Sequence, residues 1–146
     1  MSTNWVQDIN DMHAKFGVHK WVGQKVAEGD FESLRKFMQF RIDFLREELT
    51  ETNNAFWISQ DGSERAIDAE EIVDGLIDLC VVAIGTLDAF GVDAHKALDA
   101  VHAANMAKEP GVKPSRPNPL GLPDLIKPSD WQPPSHYGNH AIIGKL

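Results

Sequence analysis

Five carboxylates fall into two groups whose spacing suits one face of a helix. Glu48 and Glu51 are three residues apart, as are Glu71 and Asp74, and Asp78 follows four residues later. Side chains at such spacings are neighbours on a helix surface. Carboxylate oxygens are the ligands that hard divalent cations prefer, so the pattern predicts a site for Mg²⁺, with Mn²⁺ as a substitute.

Both acidic groups lie among apolar residues. Glu48 and Glu51 continue a helical stripe of phenylalanines at positions 37, 40 and 44. The residues around Glu71, Asp74 and Asp78 are mostly apolar, which predicts a helix buried almost all round. A poorly solvated carboxylate is costly without a compensating cation, and no run of Lys or Arg matches these acids in number. A divalent metal therefore accounts for them best.

Glu71 also has a purely structural interpretation. Asp68 can cap a helix, and Asp68-x-x-Glu71 matches a capping box, in which the Glu71 side chain bonds back to the Asp68 amide. Considered alone, this motif favours the capping role. The position of Glu71 on the same helix face as Asp74 and Asp78 favours the metal site, so both interpretations stay open.

Periodicity and capping residues predict four main helices. The first ends near Gly17, and the second runs from Phe31 to about Asn53 with Asp30 as its cap. The third follows the cap Asp68 and runs to about Phe90, and the fourth runs from Ala94 to about Lys108 with Asp93 as its cap. Residues 18–29 are predicted as a loop or a short helical turn, and residues 54–67 as a turn or loop. In that second loop, Trp57 either covers the mouth of a site or packs on the bundle.

The distribution of prolines divides the chain. All eight prolines lie at or after residue 110, where regular helix is excluded. We therefore predict one all-α domain over residues 1–109 and a Pro-rich C-terminal extension over residues 110–146, packed on the surface or on a neighbouring subunit. The candidate anchors of this extension are Leu120, Leu122, Leu125 and Trp131.

Composition excludes several classes of protein. The net charge of −8 argues against binding to nucleic acid or to an anionic membrane, both of which need a basic face. The single Cys80 excludes a disulfide framework, and the histidines show no zinc-ligand spacing with it. The N-terminal residues lack the pattern of a secretory signal, so we expect a cytoplasmic protein.

The acidic motifs resemble those of a known family. Glu47-Glu48-x-x-Glu51 and Glu71-x-x-Asp74 are similar to the EExxE and ExxD motifs of the MazG-like all-α nucleoside triphosphate pyrophosphohydrolases, which include dimeric dUTPases and phosphoribosyl-ATP pyrophosphohydrolase. The segments DGLIDLCVVAIGTLDAFGVD, VHAANMAK and KPSDWQPP resemble its phage and bacterial branch, often labelled phosphoribosyl-ATP pyrophosphohydrolase-like. The resemblance covers residues 31–108, with the KPSDWQPP segment in addition.

This resemblance implies a four-to-five-helix bundle that oligomerises through its helices into a homodimer or homotetramer. It implies that Glu48, Glu51, Glu71 and Asp74 bind Mg²⁺, with Asp78 as an extra ligand or behind the ligands. Glu48 or Glu51 would be the catalytic base. Asn105 and Lys108 would lie near the substrate phosphates, and the further candidates for phosphate binding are Lys36, Arg41, Arg46 and Arg65.

The expected reaction is hydrolysis of a nucleoside or deoxynucleoside triphosphate to the monophosphate and pyrophosphate. Phosphoribosyl-ATP hydrolysis or a dUTPase-type activity is the alternative on the same fold. An alternative of another class is a non-catalytic helical interaction protein, in which the acids only decorate the surface and cap a helix.

Overall fold

The structure is a computed structural model that describes residues 4–115, 120 and 124–146. Helices dominate it: α1 (Trp5–Lys15), α2 (Val18–Glu28), α3 (Phe31–Ala55), α4 (Ala69–Ala89) and α5 (Ala94–Met106). The other elements are β1 (Phe56–Ile58), β2 (Arg65–Ile67), β3 (Glu109–Gly111), β4 (Asp124–Ile126) and a 3₁₀ helix (Ala141–Lys145). The all-α class with four to five helices is confirmed.

The chain divides into two compact units. The first unit comprises Met1–Val92 together with Ala141–Leu146, and the second comprises Asp93–His140. The division between residues 109 and 110 that proline content predicts stays a prediction.

Residues 18–28 form α2, so the prediction of a loop or a short helical turn over residues 18–29 is wrong. Val18, Val22 and Val26 recur every four residues, and all three pack in the core of the first unit. Gly17 and Gly29 separate α2 from its neighbours with φ angles of 80° and 69°. This left-handed conformation is favourable for glycine because it has no β-carbon to clash with the backbone.

Residues 56–67 form a β-hairpin, which corrects the predicted loop. β1 and β2 pair antiparallel, with Phe56 opposite Ile67 and Trp57 opposite Ala66. Asp61 fixes the polar turn by accepting hydrogen bonds from the Ser63 amide (2.9 Å) and hydroxyl (2.6 Å). Strands of three residues are too short for alternation of apolar and polar residues to reveal them.

The core of the first unit centres on Leu34 of α3 and Phe90, which follows α4 and is fully buried. The Phe37 ring stacks on Phe90 with their centroids 5.7 Å apart. The Ile142 amide donates a hydrogen bond to the Phe90 carbonyl oxygen at 3.1 Å. The 3₁₀ helix near the C-terminus therefore closes the core of the first unit.

The prediction that α4 is buried almost all round is wrong for the single chain. Val73, Leu76 and Ile77 are 61%, 52% and 44% exposed. The buried side of α4 consists instead of the residues Gly75, Val82, Gly85, Thr86 and Ala89. Neither α4 nor any other single helix among the described residues is long and apolar enough to cross a membrane.

The second unit is organised around α5. Trp131 donates a hydrogen bond from Nε1 to the Ala104 carbonyl oxygen at 2.7 Å, so its predicted role as an anchor is confirmed. The buried Asn139 side chain accepts from the Asp93 amide and donates to the Asp93 carbonyl, both at 2.9 Å. Leu120 and Leu125 are exposed, so they are wrong as predicted anchors, and Leu122 lies outside the described residues.

Candidate functional site

α3 and α4, which form the most extensive helix pair, approach closely at Thr52 and Gly75. The Thr52 hydroxyl donates a hydrogen bond to the Glu48 carbonyl oxygen at 2.8 Å. A β-carbon on Gly75 would overlap Thr52 Oγ1 and would lie 3.2 Å from Thr52 Cβ. Only glycine at position 75 therefore permits this approach, which brings together the helix faces that carry the acids.

Glu48 shows that the acids of the two helices face one another. Its side chain is half-buried, and burial, followed by the negative charges of Asp78, Glu51 and Glu47, raises the pKa of its carboxyl group. Asp78 belongs to α4, whereas the other acids belong to α3. Negative charge from both helices therefore acts on the Glu48 carboxyl group.

Glu51 and Glu71 line a common surface depression. It has a volume of about 550 Å³, and the residues that line it are Glu51, Asn54, Ala55, Ala66, Ile67, Asp68 and Glu71. Asn54 adds an amide group that the sequence interpretation missed, although it lies three residues after Glu51 on the same helix. Trp57 is 45% exposed on the adjacent hairpin and is not among the lining residues.

Glu71 does not complete the capping box. Asp68 caps α4 by accepting a hydrogen bond from the Glu71 amide at 3.2 Å. The Asp68 amide, which Glu71 would have to bind in return, donates to the Ala55 carbonyl oxygen at 2.9 Å. The structural interpretation of the Glu71 side chain is therefore wrong, and its carboxylate faces the depression without a capping role.

The predicted burial of the acids holds only for Glu48. Glu51, Glu71, Asp74 and Asp78 are exposed, so the cost of desolvating a carboxylate applies to one acid rather than to all five. Within the described residues, none of the five forms an ion pair with a lysine, arginine or histidine. Their oxygen donors and uncompensated charge fit a hard divalent cation.

No three of the five described carboxylates lie as close together as the ligands of one metal ion do. Within the described part of the chain, three ligand atoms lie within 4.8 Å of one another only at His13, His19 and Asp88. His13 Nδ1 and His19 Nε2 are each 2.7 Å from Asp88 Oδ2, and Asn10 donates to Asp88 Oδ1 at 2.7 Å. Hydrogen bonds thus satisfy this carboxylate and join α1 and the α2 residue His19 to α4.

The Asp88 network was not foreseen because its members are far apart in the sequence. Burial by itself raises the pKa of the Asp88 carboxyl group, but hydrogen bonds from Asn10, His19 and His13 outweigh burial and lower it. Asp88 is therefore held in its charged form. The expectation of no zinc site rested on Cys and His spacing and did not consider these three residues.

Arg41, a predicted phosphate-binding residue, contacts α4. Its Nε donates to the Thr86 hydroxyl at 3.0 Å and its Nη2 to the Val82 carbonyl oxygen at 2.9 Å. The side chain is half-buried, and burial lowers its pKa. In this structure Arg41 joins α3 to α4.

The other basic candidates lie on the surface. Lys36 pairs with Glu32 at 2.8 Å, and Arg46 pairs with Asp43 at 2.6 Å. Arg65 lies on β2 and is exposed. None of these three residues lines the acidic depression, and their role in phosphate binding stays a prediction.

Asn105 and Lys108 belong to the second unit. Lys108 Nζ donates to Asn105 Oδ1 at 2.8 Å, so the two predicted phosphate-binding residues contact each other. The same ammonium group lies 5.6 Å from the centroid of the Trp131 ring. Sequence interpretation treated Trp131 only as an anchor, and no helical spacing links it to Lys108.

An all-α fold with carboxylates on facing surfaces of two helices is the architecture expected of the MazG-like nucleoside triphosphate pyrophosphohydrolases. The family model described as phosphoribosyl-ATP pyrophosphohydrolase matches residues 17–105, more than half of the chain. The chain therefore belongs to this family, as the motifs predicted, and it is a hydrolase that acts on pyrophosphate bonds. None of the curated proteins compared with the chain matches it.

Proposed function

We propose that the chain hydrolyses a nucleoside or deoxynucleoside triphosphate to the monophosphate and pyrophosphate, in a reaction that depends on Mg²⁺. The observation that carries the proposal is that Glu51 of α3 and Glu71 of α4 line one surface depression, where these two helices approach closely at Thr52 and Gly75. Phosphoribosyl-ATP is the second candidate substrate, and the family match favours it. Its hydrolysis releases pyrophosphate in the same way.

In this proposal the acidic side chains bind the metal ion and accept a proton from the attacking water. Glu48, Glu51, Glu71 and Asp74 would hold Mg²⁺, or Mn²⁺ in its place, and Asp78 would add negative charge beside Glu48. When bound, the metal supplies polarisation of the phosphoryl oxygens and charge for the leaving pyrophosphate. A carboxylate oxygen of Glu48 or Glu51 accepts a proton from the attacking water.

We propose that Lys108 and Asn105 bind the substrate phosphates, as the resemblance to the family implies. Lys108 carries the positive charge, and the Asn105 amide can donate to a phosphate oxygen. The acidic depression beside Glu51 and Glu71 provides about 550 Å³, which is within the usual range for small-molecule sites. We propose a reducing cytoplasm as the setting, in keeping with the single Cys80.

Hydrolysis of a nucleotide panel tests the proposal. The panel contains the common ribo- and deoxyribonucleoside triphosphates, dUTP and phosphoribosyl-ATP, each with Mg²⁺, with Mn²⁺ and with EDTA. We expect stoichiometric monophosphate and pyrophosphate with metal and no turnover in EDTA. Release of orthophosphate, or hydrolysis that persists in EDTA, would contradict the proposal.

A non-catalytic interaction protein makes the opposite prediction. If the acids are only surface decoration, titration calorimetry detects no Mg²⁺ or Mn²⁺ binding near millimolar concentration and no substrate on the panel is cleaved. The unfilled capping box favours the enzyme, because the Asp68 amide is bonded to Ala55 and leaves Glu71 without that structural task.

A further inference from the structure

Two lysines share one tryptophan ring in the second unit. Lys127 Nζ lies 4.5 Å and Lys108 Nζ 5.6 Å from the centroid of the Trp131 ring. An ammonium group within about 6 Å of an indole ring is attracted to its face. The two ammonium groups are therefore no farther apart than the sum of these distances, and the ring attracts both of them without neutralising either.

Neither of these lysines has a described carboxylate partner. Lys113 in the same unit pairs with Asp124 at 3.8 Å, whereas Lys108 donates to the neutral amide oxygen of Asn105 and Lys127 forms no ion pair among the described residues. The chain as a whole carries a net charge of −8. An anion that contacts both ammonium groups would reduce the repulsion between them.

Hydrogen bonds hold both the side chain and the backbone of Trp131 in place. Its indole Nε1 donates to the Ala104 carbonyl oxygen of α5 at 2.7 Å, and its backbone amide donates to the Pro128 carbonyl oxygen at 3.0 Å. Pro128 directly follows Lys127, which directly follows β4. These bonds fix the segment that carries Lys127 against the helix that precedes Lys108, so both lysines are placed near the Trp131 ring by the fold.

We propose that Lys108 and Lys127, with the Asn105 amide and the wall formed by Trp131, bind the polyphosphate group of the substrate. The identity of the anion rests on the proposed function. Lys127 and Trp131 lie beyond residue 105, where the family match ends, so the match assigns them no role. In this arrangement Lys127 contacts phosphate directly, and Trp131 positions both ammonium groups and excludes water from one side of them.

The direct test is binding of inorganic tripolyphosphate to the full chain in EDTA and low salt, measured by calorimetry. Without divalent metal, tripolyphosphate can bind only through cationic and hydrogen-bonding groups, so its binding reports on the lysines. We expect Lys127→Gln and Lys108→Gln each to weaken binding about tenfold, as the loss of one charge-assisted hydrogen bond does. Lys127→Arg, which keeps the charge, should retain most of the affinity.

Lys96→Gln is the matched control, because it removes an exposed lysine from the other end of α5. It should leave tripolyphosphate binding unchanged. The proposal is overturned if wild-type protein does not bind tripolyphosphate, if Lys127→Gln binds as tightly as wild type, or if the control loses as much affinity. Loss of affinity confined to the two site lysines supports it.

A kinetic measurement separates this proposal from the proposed function. If the protein hydrolyses nucleotides and Lys127→Gln raises KM about tenfold with kcat little changed, both stand. If hydrolysis is intact and Lys127→Gln changes neither tripolyphosphate binding nor KM, the polyphosphate site alone fails. If no nucleotide is cleaved but tripolyphosphate binding depends on Lys127, the anion site stands and the enzymatic function fails.

Discussion

Thr52 of α3 and Gly75 of α4 meet so closely that Thr52 Oγ1 occupies the space a β-carbon on residue 75 would need. Glu48 lies one turn before Thr52, and Glu71 lies one turn before Gly75. The contact therefore sets the separation of the two acidic faces. The absence of a β-carbon at position 75 of α4 thus links helix packing to the electrostatics of the site.

Gly75→Ala should force α3 and α4 apart. We expect it to destabilise the protein by about 1–3 kcal/mol through overpacking, and to reduce metal-dependent turnover because the acids lose their relative placement. Urea unfolding and hydrolysis assays measure both effects. Gly23→Ala is the control, since nothing lies within 4 Å of a β-carbon there and alanine favours helix. Equal stability of the two variants would show that the close contact does not constrain the helices.

Glu48→Gln and Asp74→Asn should each reduce turnover more than about a hundredfold while leaving the fold intact, because each removes a charged metal ligand at nearly constant shape. In EDTA, Glu48→Gln should not lower the free energy of unfolding, since it relieves repulsion with Asp78 and Glu51. Glu70→Gln, one residue before Glu71, is the control and should retain activity. Near-wild-type Mg²⁺-dependent activity in either ligand variant would contradict the assignment.

Arg41→Lys should affect stability more than substrate binding. Lysine cannot reproduce the two hydrogen bonds that the guanidinium donates to Thr86 and Val82, so we expect a loss of about 1–2 kcal/mol by urea unfolding. Arg46→Lys, at an exposed pair with Asp43, should cost almost nothing. A large rise in KM with unchanged stability would instead support the phosphate-binding role predicted from the sequence.

Asp88→Asn should destabilise the first unit by about 2 kcal/mol, because an amide nitrogen replaces an oxygen that accepts a hydrogen bond. The folded state lowers the Asp88 pKa, so its stabilising contribution is complete above the ordinary value of 3.8 and is lost as pH falls through the lowered pKa. Urea unfolding from pH 7 to pH 3 measures it. Asp99→Asn, at an exposed position, is the control. If the difference in free energy of unfolding between wild type and Asp88→Asn grew toward acid pH, the predicted direction of the pH dependence would be wrong.

The exposed apolar side of α4 leads us to propose a homodimer or homotetramer. Val73, Leu76 and Ile77 flank Asp74 and Asp78, so a neighbouring subunit there would also border the acids. Light scattering should give a mass at least twice that of the 16.2 kDa chain, and Leu76→Glu should reduce it. Phe16→Glu, at the end of α1, should not. A monomeric wild-type protein would contradict the expectation.

The sequence by itself determined where the major helices begin, because helix capping is local. Asp30, Asp68 and Asp93 were predicted as caps, and their side chains accept hydrogen bonds from the amides three residues later, at 3.1, 3.2 and 3.0 Å. The acidic motifs also predicted the family. The local patterns were too short or too interrupted to predict α2, with Gly23 at its centre, or the three-residue strands of the hairpin.

Only the tertiary structure decided which of these groups meet. Burial and the negative charge of Asp78 raise the pKa of Glu48, and Asp78 acts on Glu48 because α3 and α4 approach at a glycine. Asp88 contacts His13 and His19, which lie 75 and 69 positions earlier in the sequence. Lys127 and Lys108 both lie near the Trp131 ring, which is hydrogen-bonded to α5. Periodicity reports which face of an element a residue occupies, whereas the packing of distant elements fixes what that face contacts.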